Sequence, residues 1–225
     1  MAIDWSAVKA VKIPEGDCKR VAINGTIVWE KGGLPSEYQQ VEYIESTGTQ
    51  YIDTGVIGKT GLHIVAEMGY TTIAQSNAFF GSRRSQNRER FFVTVWPLPL
   101  FDIGYGDDIR TNIVAQKGKI YSIDFDASTS PARFGIDGVY VESGAQVDTH
   151  SNIYIFAISQ YLSTVIQLSK SIFKSMTIAD ENGELLRNFV PCYRKSDGEI
   201  GMYDLVNGVF YTNSGSGTFI KGEDV

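Results

Sequence analysis

The sequence predicts an all-β protein, built as a sandwich or barrel of short strands, and two observations carry that prediction. The first is a dipeptide, Asn-Gly or Asp-Gly, found at positions 24–25, 137–138, 182–183, 197–198 and 207–208. Such pairs adopt the positive φ angles that two-residue hairpin turns need, and most of them lie between apolar runs. The second is the alternation of apolar and polar residues along several short segments, which is typical of strands with one buried face.

Four segments show the strand pattern most clearly. Three of them alternate, and their predicted core positions are Leu62, Ile64, Ala66 and Met68, then Phe91, Val93 and Val95, then Tyr121, Ile123 and Phe125. The fourth, residues 152–159 (NIYIFAIS), is apolar on both faces, which indicates a central strand covered on both sides. A short helical turn is expected only within 161–170 (YLSTVIQLSK). Many short strands with Gly-rich turns favour a sandwich or a barrel.

A boundary is predicted at 31–35, where two glycines and a proline interrupt the strand pattern. We therefore divide the chain into an N-terminal hairpin module, residues 1–33, and a β-domain, residues 34–225. The module is predicted to be a hairpin around Asn24-Gly25, and its apolar residues are Val21, Ile23, Ile27 and Trp29. Because an isolated hairpin is only marginally stable in water, we expect this one to pack on the main domain, on another copy or on a partner, and so to serve attachment or oligomerisation.

Composition argues against several classes of function. Twenty basic and 26 acidic side chains give a net charge of −6, which disfavours a nucleic-acid-binding protein. No apolar run has membrane-spanning length, so no membrane insertion is expected, and the N-terminus lacks the pattern of a signal peptide. With two cysteines and two histidines, neither a metal motif nor a nucleophilic motif is visible, and Cys192 is expected to be a buried thiol.

Two neighbouring segments hold the candidate ligand-binding residues. The segment SRRSQNRER is basic, and its arginines could grip acidic sugars or phosphorylated wall polymers through bidentate contacts; they are Arg83, Arg84, Arg88 and Arg90. The alternative is a solvated hairpin tip. Just after it, Trp96 and Tyr105 could stack on sugar rings, although aromatic residues at strand ends more often belong to the core.

Long motifs at both ends of the β-domain carry a family resemblance. Residues 34–55 (LPSEYQQVEYIESTGTQYIDTG) and 197–222 (DGEIGMYDLVNGVFYTNSGSGTFIKG) resemble the opening and the close of concanavalin-like (laminin-G-like) jelly-roll domains, a family found in phage, prophage and mobile-element proteins of gut bacteria. Between them, the same family order continues through AFFGSRRSQNRERFFV, FGIDG, NIYIFA and SIFKSMTIADENGELLRNFVPC. The resemblance implies an antiparallel β-sandwich in which the first and last segments form neighbouring strands. The N-terminal hairpin module is similar to small β-modules at the ends of phage structural proteins.

The resemblance also suggests two candidate activities, calcium binding and glycoside hydrolysis. Many laminin-G-like domains bind calcium, and the loop FDIGYGDD offers Asp102, Asp107 and Asp108 as ligands, with a hydrated acidic turn as the alternative. No other cofactor is expected. Concanavalin-like glycosidases use paired carboxylates on one strand; here Asp124 and Asp126 are the only pair with that same-face spacing, and a solvated strand face is the alternative.

The function implied is that of a non-enzymatic structural or adhesion protein of a phage or phage-like particle: a fibre, a decoration or a tail-associated protein. The N-terminal hairpin module would join other particle proteins or sister subunits into a homo-oligomer, and the jelly-roll head would display a surface for host cell-surface glycans. The chain would be made in the bacterial cytoplasm and reside on the virion surface. The alternatives are a glycan-processing enzyme on the same scaffold and an exported bacterial surface module that binds a protein.

Overall fold

The structure is a computed structural model that describes residues 20–23, 26–30, 33–85 and 88–225. The described residues form strands joined by turns and loops, and no helix long and apolar enough to cross a membrane occurs among them. The strands are, in chain order, β1 (Arg20–Ile23), β2 (Thr26–Glu30), β3 (Tyr38–Gln40), β4 (Ile44–Thr47), β5 (Ile52–Lys59), β6 (His63–Thr72), β7 (Ala78–Ser85), β8 (Arg88–Val95), β9 (Leu100–Val114), β10 (Ile120–Asp126), β11 (Ala132–Ile136), β12 (Val139–Ser143), β13 (Asp148–Ile155), β14 (Ile158–Gln160), β15 (Thr164–Ile166), β16 (Lys170–Ala179), β17 (Leu185–Arg194), β18 (Ile200–Asp204), β19 (Val209–Thr212) and β20 (Ile220–Lys221).

Two large sheets form a sandwich, which confirms the predicted fold class. The eleven-stranded sheet runs in the order β12-β11-β10-β6-β16-β17-β18-β19, with β4 beside β16 and β20, and β3 beside β17. The seven-stranded sheet runs β15-β14-β7-β13-β5, with β8 lying between β7 and β9. Pairing between described strands is antiparallel except where β14 meets β7. The opening and closing segments of the β-domain lie in neighbouring strands, as the resemblance implied, since β20 pairs with β4 and Ile220 lies opposite Glu45.

Aromatic side chains from both sheets fill the space between them. At the centre Phe125 packs against Phe134 and Phe91, with ring centroids 4.4 and 4.6 Å apart, and also contacts Phe80 and Tyr105. The core positions predicted from alternation within 62–68, 91–95 and 121–125 are all buried. Residues 153–159 are buried, as predicted for the apolar segment 152–159, but they do not form one central strand. Strand β13 ends at Ile155 between β5 and β7, the chain turns at Phe156, and β14 begins at Ile158 on the other side of β7.

Four of the five predicted turns are found where the Gly dipeptides lie. They join β11 to β12, β16 to β17, β17 to β18 and β18 to β19, and their glycines have φ between +67° and +79° at Gly138, Gly183, Gly198 and Gly208. The turn at 24–25 lies outside the described residues. The helical turn expected within 161–170 is wrong: a non-helical turn at 161–163 leads into β15, which pairs with β14.

The N-terminal hairpin module is described only through its two strands. Strands β1 and β2 pair antiparallel, with Val21 opposite Trp29 and Ile23 opposite Thr26, which confirms the predicted hairpin. They form a sheet separate from the two large ones. The side chains of Val21, Ile23, Ile27 and Trp29 lie outside what the structure describes, so the attachment role stays a prediction.

One buried carboxylate organises the turn that joins β18 to β19. Asp204 is fully buried and accepts hydrogen bonds from the backbone N–H groups of Asn188 (2.9 Å) and Val206 (3.1 Å) and from the side-chain amide of Asn207 (2.7 Å). Its other neighbour is Arg187, whose Nε lies 3.6 Å from a carboxylate oxygen. The same Nε donates to the carbonyl of Thr54 at 3.0 Å. Because Thr54 belongs to β5 and Arg187 to β17, this cluster ties the two sheets together.

Candidate functional site

A cavity of about 290 Å³ opens on the seven-stranded sheet. Strand β8 shows which face carries it, because Phe91, Val93 and Val95 point into the main core while the residues between them point the other way. We call this space the polar cavity. It is lined by Ser76, Arg83, Arg90, Phe92, Thr94, Trp96, Asp102, Asp108 and Gln167. The site therefore lies on the face of the sheet that is turned away from the main core.

The polar cavity brings together residues that the sequence placed in two separate candidate sites. Arg83, Arg90 and Trp96 were predicted as ligand contacts, whereas Asp102 and Asp108 were predicted as calcium ligands. The register of the strands brings the two groups of residues together. Strand β8 pairs antiparallel with β7 and β9, so that Arg90 lies opposite Arg83 and Thr94 lies opposite Asp102. One mixed site of cations, carboxylates and an aromatic ring results.

Two other predicted ligand contacts, Tyr105 and Arg84, do not line this cavity. Tyr105 is only 1% exposed, packs against Phe134 at 4.9 Å and shares a 2.7 Å hydrogen bond with the hydroxyl of Thr60. The prediction that Tyr105 stacks on a sugar is therefore wrong, because its ring is part of the core. Arg84 points to solvent, forms an ion pair with Glu89 at 3.2 Å and borders a different cavity. The side chain of Arg88 lies outside the described part of the structure.

The predicted calcium ligands do not assemble into a metal site. Asp107 is exposed and does not line the polar cavity, and the carboxylate of Asp108 forms an ion pair with Arg90 at 2.6 Å. No group of three or more His, Cys, Asp or Glu side chains placed to hold a metal ion occurs among the described residues. The calcium prediction is thus corrected: Asp102 and Asp108 belong to a site that also holds arginines.

Asp102 is the most deeply placed acid of the polar cavity. Its residue is 2% exposed, and its Oδ1 has no hydrogen-bond partner among the described protein atoms. Burial, reinforced by the negative charge of Asp108, raises the pKa of Asp102 to about 7, although Arg90 and Arg110 act in the opposite direction. A carboxyl group in this state can either donate or accept a hydrogen bond near neutral pH.

The arginines of the polar cavity are held in place by other side chains. Arg83 donates from Nε and from one Nη to the side-chain oxygen of Gln160, at 2.9 and 2.6 Å. Burial, together with the neighbouring charge of Arg90, lowers the pKa of Arg83. The side chain of Arg90 is 15% exposed and is fixed by its ion pair with Asp108. Two guanidinium groups are thereby presented in fixed positions.

The floor and the rim of the polar cavity are aromatic. Phe92 is buried in a small cluster with Ala78 and Ile158, and its ring lies over Gly104, where a Cβ atom would overlap it. Trp96, by contrast, is 37% exposed. The site thus combines fixed polar groups with an accessible indole ring.

Sequence reasoning missed several residues that line the polar cavity, above all Gln167. Its backbone is in the left-handed region with φ of 54°, and its side-chain oxygen is buried without a hydrogen-bond partner among the described atoms. Gln167 falls in the segment 161–170, where a helical turn was expected, and a left-handed glutamine has no sequence signal. Phe92 and Thr94, however, follow from the alternation of β8.

The paired carboxylates considered for glycoside hydrolysis lie elsewhere, on β10. Asp124 accepts a hydrogen bond from the hydroxyl of Tyr140 at 2.8 Å, and its other oxygen lies 2.7 Å from Nε2 of His63. Asp126 accepts from the backbone and the hydroxyl of Ser128. Neither carboxylate lines the polar cavity.

The predicted buried thiol is confirmed. Cys192 is fully buried in β17, and burial raises its pKa to about 12. At neutral pH the group is therefore a protonated thiol that serves packing.

Comparison with known proteins supports the fold. No protein-family model matches the chain, and no curated protein matches it. A solved structure with the same fold is that of a "putative carbohydrate binding protein" from Bacteroides ovatus, with a TM-score of 0.56 and 11% sequence identity over 83% of this chain. The match covers 62% of that protein's length, so this chain corresponds to only part of it. At this identity the likeness establishes a shared β-sandwich.

Proposed function

We propose that the protein is a non-enzymatic carbohydrate-binding protein and that sugar binds in the polar cavity. The observation that carries the proposal is the exposed indole ring of Trp96 beside the fixed hydrogen-bonding groups of Arg83, Arg90 and Asp102. A sugar ring has an apolar C–H face and a rim of hydroxyl groups. Its binding site therefore needs an aromatic ring for the C–H face and hydrogen-bonding groups for the hydroxyls. The description of the structural neighbour from Bacteroides ovatus points to the same class.

Replacement of Trp96 with alanine tests this proposal. We expect glycan affinity to fall about five-fold or more, because a stacked ring contributes on the order of 1 kcal/mol beyond its buried area. A glycan array with the wild-type chain would select the ligand, and titration calorimetry would compare the variants. Leu98→Ala is the matched control, since Leu98 lies two residues after Trp96 and is also exposed but does not line the polar cavity.

Two results would contradict the sugar-binding part of the proposal. One is an array on which the wild-type chain binds no glycan. The other is equal affinity of the wild-type and Trp96→Ala chains for the selected glycan. Release of reducing ends from that glycan by the purified protein would contradict the non-enzymatic part.

We further propose that the chain is a structural or adhesion protein of a phage or phage-like particle. The support is the resemblance of residues 34–55 and 197–222 to such proteins, together with the separate two-stranded sheet of the N-terminal hairpin module. In this role the module would join copies of the chain or other particle proteins. Weak sugar contacts would then be strengthened by repetition, since tethered heads bind locally after the first contact.

Light scattering of the full chain and of a chain lacking residues 1–33 tests the joining role. We expect an oligomer for the full chain and a folded monomer for the shortened one, because the module is proposed to hold the copies together. The same oligomer for both chains would contradict the proposal. Mass spectrometry of particles purified from the host would show whether the full chain is a particle component.

A further inference from the structure

The polar cavity carries a charge pattern that specifies the sugar, and we propose that its ligand is an acidic sugar whose carboxylate, as in a uronic acid residue, is bound by Arg83 and Arg90. This inference rests on the proposed carbohydrate-binding function and adds a substrate class to it. It stands on the positions and partners of the charged side chains that line the cavity.

The two arginines are not equally compensated. Arg90 is paired with Asp108 at 2.6 Å, so that these two charges balance. Arg83 makes its side-chain hydrogen bonds to Gln160, which is neutral, and within the described part of the chain it forms no ion pair. Its Nη1 group keeps N–H donors for a ligand. With Asp102 protonated, the side chains that line the cavity therefore carry one net positive charge.

A single carboxylate matches this arrangement in charge and in shape. A guanidinium is planar and presents parallel N–H groups, which a planar carboxylate accepts in pairs. Because Arg83 and Arg90 lie directly opposite each other on β7 and β8, one anionic group can reach both. A phosphate monoester carries nearly two negative charges and would exceed the one that the cavity balances. The protonated carboxyl of Asp102 supplies a donor for the same ligand.

Asp102 also makes the binding of an acidic sugar depend on pH. The charged groups around it are Asp108 and Arg110 on its own strand, Arg90 on β8 and Arg83 on β7. Above its pKa of about 7 Asp102 gains a negative charge, and the net charge of the side chains that line the cavity falls to zero. If only the protonated form binds, affinity falls about ten-fold from pH 6 to pH 8, in proportion to the protonated fraction.

Titration calorimetry on the full chain with three uronate polymers tests the inference: polygalacturonate, alginate and hyaluronan, each beside its carboxyl-reduced form. We expect at least one acidic form to bind ten-fold or more tightly than its reduced counterpart at pH 6 and about ten-fold more weakly at pH 8. Arg83→Gln should remove the preference for the acidic form. Asp102→Asn should make that binding independent of pH.

Arg84→Gln is the matched control, because Arg84 lies on the same strand but points away from the polar cavity. It should leave the preference unchanged, and thermal melting should show that each variant is folded. Arg83→Lys keeps the charge without the planar fork and should give an intermediate preference.

The failures can be told apart. If a carboxyl-reduced polymer binds as well as its acidic form and Trp96→Ala weakens both, the acidic ligand is wrong while the carbohydrate-binding function stands. The acidic ligand is also wrong if Arg83→Gln keeps the full preference, or if a phosphodiester-linked wall polymer is bound in preference to every uronate. If the chain binds none of these polymers and no glycan on an array, both proposals fail.

Discussion

Replacing Asp102 with asparagine is expected to raise the free energy of unfolding at pH 8 by on the order of 4 kcal/mol. The pKa of Asp102 is raised to about 7 in the folded protein, mainly by burial, whereas in the unfolded chain the group ionises near pH 4. Between these two values the folded state binds more protons, so stability falls as pH rises and stays low above pH 7. Asparagine has no proton to lose and avoids this cost.

Urea denaturation at pH 4 and pH 8 measures the effect. The two chains should differ little at pH 4, where Asp102 is protonated in the folded state, and differ most at pH 8. Asp107→Asn is the control, because Asp107 lies on the same strand but is exposed, and its replacement should change stability by no more than about 0.5 kcal/mol. An Asp102→Asn chain no more stable than wild type at pH 8 would contradict the assignment.

Asp204→Ala is expected to lower the free energy of unfolding by about 3 to 5 kcal/mol. The change leaves the mostly buried guanidinium of Arg187 without its carboxylate and removes the acceptor of the backbone N–H groups of Asn188 and Val206. Buried groups left unsatisfied in this way carry their full desolvation cost. Thermal and chemical denaturation at neutral pH would measure the loss.

Asp197→Ala provides the contrast for this prediction. Asp197 also accepts hydrogen bonds from an arginine, Arg194, at 2.7 to 3.1 Å, but the pair is exposed. An exposed pair contributes at most about 1 kcal/mol, so the loss should be small. Comparable losses for Asp197→Ala and Asp204→Ala would show that burial is not what makes the Asp204 cluster stabilising.

The strand pattern was predictable because alternation is a local signal. Phe91, Val93 and Val95 were placed correctly in the core, and the same rule puts Trp96 on the opposite face. Tyr105 was misplaced because the alternation of its strand is less clear: Phe101, Ile103 and Tyr105 point into the core, but one of the two residues between them, Gly104, is not polar.

The composition of the polar cavity could not be predicted in the same way. The basic and acidic segments become one site only through the pairing of β8 with β7 and β9, and register between strands depends on the whole sheet rather than on nearby residues. Gln167 lies in a loop and has a left-handed backbone conformation, which no sequence pattern predicts. The state of Asp102 likewise depends on burial, which a sequence does not show.

Alternate residues of strand β8 pack in the main core and line the polar cavity. Positions 91, 93 and 95 lie in the main core, while positions 90, 92 and 94, together with Trp96 just after the strand, line the cavity on the other face. Substitutions at the first set should change the stability of the fold, whereas substitutions at the second set should change selectivity for the sugar ligand proposed above. The proposed selectivity can therefore be altered along this strand without first having to rebuild the scaffold.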